Sequence, residues 1–370
     1  EPGSDLFLKI GVLYIQEYEK EFGKQEFYLA DSFNEMDVPL SKDSITALQE
    51  LAGYGESVYS SIQKVNPDAI WVMQGWTFPY QKKDGKLFWT PERLQALVSN
   101  VPDDKLMILD LANEYNKLWW KSDPSWKMYS GFFGKMWVYS FIPNMGGKTA
   151  MNGRLDLYAS MPFEALKYNG KGNLVGFGFA PEGIENNEII YELLSDMGWV
   201  SEEINLDEWI EKYTIRRYGI YSQNIKKAYK HFNNSFFGSF TDHPRNTYQF
   251  RPNTKYRGSV NKSDEIRQGL ELFLSCNNEI KNSKLYAVDV IEITSQYLGL
   301  KADELLVEFQ KTGENDSTIL NEAIEILENI DRLLESHPTW KLKIWTDYAK
   351  RWGSTLEEEA YYQANAKRLI

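Results

Sequence analysis

Acidic residues follow three short apolar segments of this 370-residue chain. Glu35 comes after Asn34, Glu114 comes after Asn113, and Glu182 stands between Pro181 and Gly183. Two carboxyl groups about 5 to 5.5 Å apart can cleave a glycosidic bond with retention, because one protonates the leaving oxygen while the other attacks the anomeric carbon. On spacing alone, Glu35, Glu114 and Glu182 are all candidates for such a pair. An ordinary strand-end acid is the alternative interpretation of Glu35, and on spacing alone Glu182 is equally compatible with a loop glutamate of no consequence.

Amide and aromatic residues close two further apolar segments. Gln74 and Trp76 end one of them, and Asn144 opens an Asn-Met-Gly-Gly turn after the other. The chain holds 12 Trp, 23 Tyr and 19 Phe, and many of these residues stand beside polar ones. A pyranose ring has an apolar face for stacking and a polar rim for hydrogen bonds, so this mixture suits a sugar site. We expect Asn34 to hold a sugar hydroxyl beside Glu35.

Other classes of site fit the sequence less well. Residues 146–149 read Gly-Gly-Lys-Thr, but Ile142 stands where a phosphate-binding loop requires glycine. A net charge of -12 argues against nucleic acid as a partner. Cys276 is the only cysteine, which excludes an internal disulfide and a thiolate cluster, and the three histidines lack metal-ligand spacing. We therefore predict no metal, no cofactor and no nucleic acid.

The elements that must position these residues alternate between short apolar strands and helices. This pattern is typical of an α/β fold with a parallel sheet, either doubly wound or a (β/α)8 TIM-type barrel. In a barrel the active site lies at the C-terminal ends of the strands, where the polar residues above stand. The predicted strands are residues 26–33, 69–76, 106–111, 136–142 and 174–179.

The second half of the chain has a different texture. After about Glu185 it reads as amphipathic helices without a convincing strand. We expect residues 1–184 to form the C-terminal five β/α units of a barrel that is incomplete at its N-terminal side, because a closed barrel needs eight. Residues 185–370 are expected to form an α-helical domain, truncated at its C-terminal end. The chain carries no targeting signal and no apolar stretch of the ~18 residues that suggest a membrane span, so we predict no membrane insertion.

Long collinear blocks of the sequence resemble the α-N-acetylglucosaminidase family of retaining glycoside hydrolases, which includes the lysosomal heparan-sulfate-degrading enzyme and bacterial relatives. Among them are Phe-Asn-Glu-Met around Glu35 and Ala-Pro-Glu-Gly around Glu182. The resemblance departs from the lysosomal relative at Lys148 and Thr149. The family's N-terminal domain and first barrel strands have no counterpart. The blocks that carry the resemblance are residues 10–23, 28–36, 69–76, 109–111, 144–147, 178–184, 187–188 and 216–219.

The resemblance implies roles for individual residues. Glu35 corresponds to the general acid/base and Glu182 to the nucleophile, which leaves Glu114 as a supporting residue of the site. The residues implied to bind substrate are Asn34, Trp76, Glu114 and Asn144.

The resemblance also implies an activity, the exo-acting removal of terminal α-linked N-acetylglucosamine from an oligosaccharide or glycan. It further implies an exported protein, whether periplasmic, extracellular or lysosomal. Two alternatives remain open at this stage. One is a hydrolase of another α-hexoside, and the other is a carbohydrate-binding barrel that has lost activity.

Overall fold

The protein folds as two compact units, which we call the sheet unit and the helical unit. The sheet unit comprises Glu1–Met145, Asp156–Glu182 and Ile190–Ile204, and the helical unit comprises Gly146–Leu155, Gly183–Ile189 and Asn205–Ile370. The domain boundary predicted between residues 184 and 185 lies outside the described residues. The computed structural model describes residues 2–31, 33–146, 151–182, 187–240, 262–280, 282–313 and 315–368.

Nine strands are present in the described part of the chain. They are β1 (Phe27–Leu29), β2 (Ile70–Gln74), β3 (Lys82–Lys83), β4 (Lys86–Leu87), β5 (Leu106–Asp110), β6 (Met136–Phe141), β7 (Gly153–Arg154), β8 (Asn173–Phe179) and β9 (Gly238–Ser239).

The α-helices range from single turns to 28 residues. They are α1 (Asp5–Phe22), α2 (Ser44–Gln63), α3 (Pro91–Val98), α4 (Asn113–Tyr115), α5 (Ser125–Met128), α6 (Leu155–Tyr158), α7 (Met161–Lys167), α8 (Glu188–Met197), α9 (Leu206–Tyr218), α10 (Gln223–Asn234), α11 (Ser263–Ser275), α12 (Asn277–Ile280), α13 (Lys284–Lys311), α14 (Ser317–Glu335), α15 (Leu342–Lys350) and α16 (Leu356–Arg368).

The sheet unit is built on five parallel strands in the order β1-β2-β5-β6-β8. The predicted α/β class is confirmed, and all five predicted strands are present. Because every strand runs in the same direction, their carboxyl ends meet at one edge of the sheet, where a barrel enzyme carries its active site.

Large buried aromatic side chains fill the interior of the sheet unit. Trp71 and Trp137 lie on β2 and β6, and neither exposes any surface. Their indole N–H groups donate to the carbonyl oxygens of Ala30 and Lys171, at 2.6 and 2.7 Å. The buried indoles are therefore satisfied by backbone acceptors, as buried donors in proteins generally are.

Helices α2 and α3 approach each other closely in the sheet unit. A Cβ at Gly55 would lie 1.8 Å from the carbonyl oxygen of Leu97, so this contact requires glycine. The helix ends follow the sequence signals, since Asp43 and Thr90 accept from Thr46 and Arg93 as N-caps.

The helical unit has its own aromatic core on α9, α10, α11 and α13. Tyr218, Tyr229, Phe232, Phe273 and Tyr286 are all buried there. The strand β9 pairs with β7 in antiparallel fashion within this unit, so the prediction that no strand follows residue 185 is wrong. A two-residue strand is too short to produce a period-2 pattern. None of the helices among the described residues combines the length and apolar character required to cross a bilayer.

Candidate active site

The two carboxylates that the sequence predicts as catalytic belong to the two edge strands of the parallel sheet. Glu35 follows β1 and Glu182 follows β8, and both residues are exposed. In a closed eight-stranded barrel, the first and fifth of five consecutive strands stand opposite each other across the mouth. The strand order therefore suits a pair of carboxyl groups that reach the same bond from two sides.

The backbone around Glu35 is held in an unusual conformation. Phe33 and Glu35 both adopt left-handed φ angles, of 60° and 52°. Such angles cost non-glycine residues energy and persist only where the surroundings enforce them, often at functional sites. Here the ring of Phe33 is buried 5.5 Å from that of Tyr54, which anchors the loop on one side of Glu35.

A second anchor lies on the other side of Glu35. The side-chain amide of Gln81 donates to the carbonyl oxygen of Met36 at 3.0 Å. The side-chain oxygen Oε1 of Gln81 in turn accepts from the buried indole N–H of Trp89 at 2.9 Å. The loop is therefore fixed at both ends, while the Glu35 side chain remains exposed.

Asn34 carries a buried acceptor beside this exposed acid. Its Oδ1 has no hydrogen-bond partner among the described residues. A buried polar atom left in this way costs about 1 to 3 kcal/mol, which a ligand hydroxyl could recover by donating to it. This geometry fits the predicted role of Asn34 in binding substrate.

A cleft of about 1070 Å³ opens beside Glu35. Its aromatic lining consists of Tyr80, Trp119 and Trp120, and none of these was singled out from the sequence. Trp76, which was predicted to bind substrate, does not line the cleft. Its ring lies 6.0 Å from that of Tyr80, which in turn lies 5.3 Å from the ring of Trp120.

A single π-helical turn, Asn116–Trp120, carries the two tryptophans. Turns of this kind occur frequently at functional sites. The sequence signal that could have indicated this lining is the adjacent Trp pair between Lys117 and Lys121, which follows the end of the predicted strand 106–111. Flat rings in an open, partly polar cleft provide the stacking surface that a sugar face requires.

Glu114 is fully buried and does not reach the cleft surface. Its Oε1 accepts from the backbone N–H of Ile142 at 2.9 Å. Ile142 follows β6 directly and leads into Pro143 and Asn144. The Glu114 carboxylate therefore holds the turn after β6, and the sequence-based assignment of Glu114 to substrate binding stays a prediction.

Asp110 and Asn113 form a buried polar network beneath this turn. The Asn113 amide donates to the carbonyl oxygens of Asp110 and Ser140, at 2.6 and 3.1 Å. Burial raises the pKa of Asp110 to about 7, although hydrogen bonds from Asn113 and Ser125 partly offset it. The network ties the end of β5 to β6 and keeps a titratable group close behind the site.

Asn144 follows β6 and Glu182 follows β8, the last two strands in the order of the parallel sheet. Asn144 is buried and left-handed, with φ 60°. The backbone N–H of Ala180 donates to the carbonyl oxygen of Phe141 at 2.9 Å, which extends the pairing of β8 to within two residues of Glu182. The departures noted at Lys148 and Thr149 lie outside the described residues.

Family models match nearly the whole chain. The alpha-N-acetylglucosaminidase (NAGLU) tim-barrel domain matches residues 1–201, and the C-terminal domain of the same family matches residues 209–370. The human protein alpha-N-acetylglucosaminidase is 28% identical over 384 residues, which cover 99% of this chain and 49% of that protein. The chain thus spans about half the length of this curated relative.

Solved structures from Clostridium perfringens share the fold. A family 89 glycoside hydrolase in complex with 2-acetamido-1,2-dideoxynojirmycin aligns with a TM-score of 0.82 at 23% identity, over 99% of this chain and 40% of that one. CpGH89 with two glutamates replaced by glutamine, in complex with its substrate GlcNAc-alpha-1,4-galactose, aligns with a TM-score of 0.81 at 22% identity, with the same coverage. Together with the family models, these alignments confirm the predicted barrel followed by a helical domain.

Proposed function

Since the chain belongs to the α-N-acetylglucosaminidase family, we propose that the protein containing it removes terminal α-linked N-acetylglucosamine from glycans with retention at the anomeric carbon. Glu35 acts as general acid/base and Glu182 as nucleophile. The observation that carries this proposal is the pair of exposed glutamates at the carboxyl ends of the two edge strands, one of them beside an aromatic cleft.

In the first step, the Glu182 carboxylate attacks the anomeric carbon and the bond to the leaving oxygen breaks. The proton of Glu35 passes to that oxygen, so the aglycone departs as a neutral alcohol. The sugar is left as an ester of Glu182. The anchored loop on either side of Glu35 supports this role, because proton transfer requires a fixed donor.

In the second step, a water molecule attacks the anomeric carbon from the face that the aglycone left. Glu35, now ionised, takes the proton of this water, and the ester bond to Glu182 breaks. Two inversions give net retention. Because the Oδ1 of Asn34 has no hydrogen-bond partner in the part of the chain that the structure describes, it is suited to accept from a hydroxyl or N–H of the bound sugar.

The acetamido sugar is proposed from the relatives. The human relative is an alpha-N-acetylglucosaminidase, and CpGH89 takes GlcNAc-alpha-1,4-galactose as its substrate. We further propose that residues 1–184 contribute the barrel and residues 185–370 the helical domain. We also propose that the protein is exported from the cytoplasm.

The test is turnover of an aryl α-N-acetylglucosaminide by the full-length protein. Glu182→Gln should lower kcat by more than about 10³-fold, because the ester intermediate no longer forms. Glu202→Gln is the matched control, since Glu202 is an exposed glutamate of the same unit outside the cleft lining.

Glu35→Gln should behave differently from Glu182→Gln. An activated aryl leaving group needs little protonation, so ester formation continues while ester hydrolysis slows. Both kcat and KM should then fall for the aryl substrate, whereas an unactivated disaccharide should be cleaved far more slowly. Full activity of either variant would refute the assignment of its residue.

A further inference from the structure

The cleft beside Glu35 shares only that residue with the set of candidate active-site residues. The candidates that do not contribute to its lining are Asn34, Trp76, Glu114, Asn144 and Glu182. In the proposed mechanism the N-acetylglucosamine lies between Glu35 and Glu182, and Glu35 protonates the oxygen of the leaving group. A cleft that contacts the site through Glu35 alone therefore lies on the leaving-group side of the bond that breaks.

Two aromatic surfaces line this cleft. The rings of Tyr80 and Trp120 lie 5.3 Å apart and form the first surface. The indole of Trp119 forms the second, since it is 47% exposed and contacts no other ring among the described residues. Because consecutive residues of a helical turn project in different directions, the two indoles present separate surfaces for stacking.

The first surface adjoins the loop that carries Glu35. Tyr80 directly precedes Gln81, whose side-chain amide donates to the carbonyl oxygen of Met36, the residue after Glu35. This surface is therefore suited to the sugar that is bonded directly to the N-acetylglucosamine. The second surface remains available for the next sugar along the chain.

Buried hydrogen bonds hold both surfaces in place. The hydroxyl of Tyr129 lies 2.9 Å from the carbonyl oxygens of Phe78 and Trp89, to which it donates, and this contact fixes the segment that leads into the first surface. At the start of the π-helical turn, the buried amide of Asn116 donates to the hydroxyl of Ser125 at 3.1 Å. Surfaces that are fixed before binding lose little conformational entropy when a ligand stacks on them.

The size and lining of the cleft fit more than one sugar. Its volume of about 1070 Å³ exceeds what a single ring requires, since pockets of roughly 300 to 1,000 Å³ hold whole drug-sized ligands. Polar side chains in the lining, those of Lys82, Lys121 and Ser122, can bond the hydroxyls of a sugar chain.

We propose that this cleft binds a leaving group of at least two sugar units, and that Trp119 is a specificity-determining residue that stacks on the second of them. The inference rests on the proposed function and deepens it. The preferred substrates are glycans in which at least two further sugars follow the terminal N-acetylglucosamine.

The experiment compares two substrates of the full-length protein, GlcNAc-α-1,4-galactose and the trisaccharide GlcNAc-α-1,4-galactosyl-β-1,4-glucose. The trisaccharide should have a kcat/KM about tenfold higher, mainly through a lower KM, because its second leaving-group sugar stacks on Trp119. Trp119→Ala should reduce this gain to less than about twofold and leave kcat/KM for an aryl α-N-acetylglucosaminide within about twofold.

Two further variants separate stacking from a general disturbance. Trp119→Phe keeps a flat ring and should restore most of the gain from the longer chain. Trp199→Ala is the matched control, since Trp199 is an exposed tryptophan of the same unit outside the cleft lining, and it should keep the full gain.

The outcomes distinguish this inference from the proposed function. Turnover of the aryl substrate without a gain from the longer chain, including failure to cleave either oligosaccharide, would overturn this inference alone. A Trp119→Ala variant that loses the same factor on both oligosaccharides, or that keeps the full gain, would overturn it as well. Absence of aryl turnover in the unaltered protein would overturn the proposed function and this inference with it.

Discussion

At the scale of single residues, the candidate site combines strained and under-satisfied groups with a rigid frame. Phe33, Glu35 and Asn144 hold left-handed backbone angles at the carboxyl edge of the sheet, and Asn34 buries an acceptor without a partner among the described residues. Such features reduce the free energy of unfolding, and proteins tend to keep them where a function requires them. Each can therefore be tested by comparing stability with activity.

Asn34→Ala should lower activity while leaving stability nearly unchanged. Removal of an unsatisfied buried oxygen should change the free energy of unfolding by less than about 1 kcal/mol, because no hydrogen bond to that oxygen is lost. The value of kcat/KM on an aryl α-N-acetylglucosaminide should fall by about 10- to 100-fold if the oxygen accepts from the sugar. Denaturant unfolding and steady-state kinetics check both. A large loss of stability with unchanged kcat/KM would contradict this role.

Asp110 makes stability depend on pH. Its folded pKa of about 7 exceeds the ordinary value of 3.8. The contribution of Asp110 to the free energy of unfolding is therefore complete below pH 4, and it is lost as the pH rises toward 7 because the unfolded chain releases the proton first. Asp110→Asn cannot ionise. The free energy of unfolding of the unaltered protein should therefore fall relative to this variant across that window, by at most about 4 kcal/mol.

Chemical denaturation at a series of pH values measures this difference. Asp123→Asn, at an exposed aspartate of the same unit, serves as the control. A constant difference between the unaltered protein and Asp110→Asn from pH 4 to 7 would show that Asp110 is ionised throughout.

At the scale of elements, the sequence predicted the long helices more accurately than the turns. The sequence predicts helices over residues 44–63, 188–197 and 206–218, and α2, α8 and α9 begin and end at those residues, because caps and periodicity mark their limits. The five sheet strands were also found, although β1 covers only Phe27–Leu29 of the predicted residues 26–33. One further hydrogen bond, from the Ala30 N–H to the carbonyl oxygen of Val72, extends the pairing of β1 beyond Leu29, and the polar residue Asp31 follows.

The elements around the cleft were not predicted. The β3–β4 hairpin turns at Asp84 and Gly85, both left-handed, and this Asp-Gly pair is a recognised hairpin signal. The π-helical turn that carries Trp119 and Trp120 has no comparable signal, because its extra residue per turn depends on tertiary packing. The two candidate glutamates could thus be proposed from sequence, whereas the aromatic lining of the cleft could not.

The aromatic lining of the cleft, formed by Tyr80, Trp119 and Trp120, leads to a further prediction. Trp120→Ala should lower kcat/KM for an N-acetylglucosaminide by about 10- to 100-fold, mainly through KM, because the stacking surface is lost. Trp199→Ala is the control, since Trp199 is 91% exposed and does not line the cleft. Equal effects of the two substitutions on KM would show that Trp120 does not stack on the substrate.

At the scale of the whole molecule, both candidate carboxylates belong to one compact unit, and each of the two units has its own aromatic core. The chain spans about half the length of the human relative, so activity is best measured on the full-length protein. We propose that Glu35 and Glu182, both in the sheet unit, serve opposite faces of one anomeric centre.

Azide rescue distinguishes the proposed role of Glu35 from that of Glu182. In Glu182→Ala, azide can occupy the space of the lost nucleophile and attack from that face, so an activated α-N-acetylglucosaminide should give the β-glycosyl azide. In Glu35→Ala, azide should instead attack the ester intermediate and give the α-glycosyl azide. NMR of the products distinguishes the two anomers. The reverse pattern would exchange the two roles, and no azide adduct from either variant would contradict the two-carboxylate mechanism.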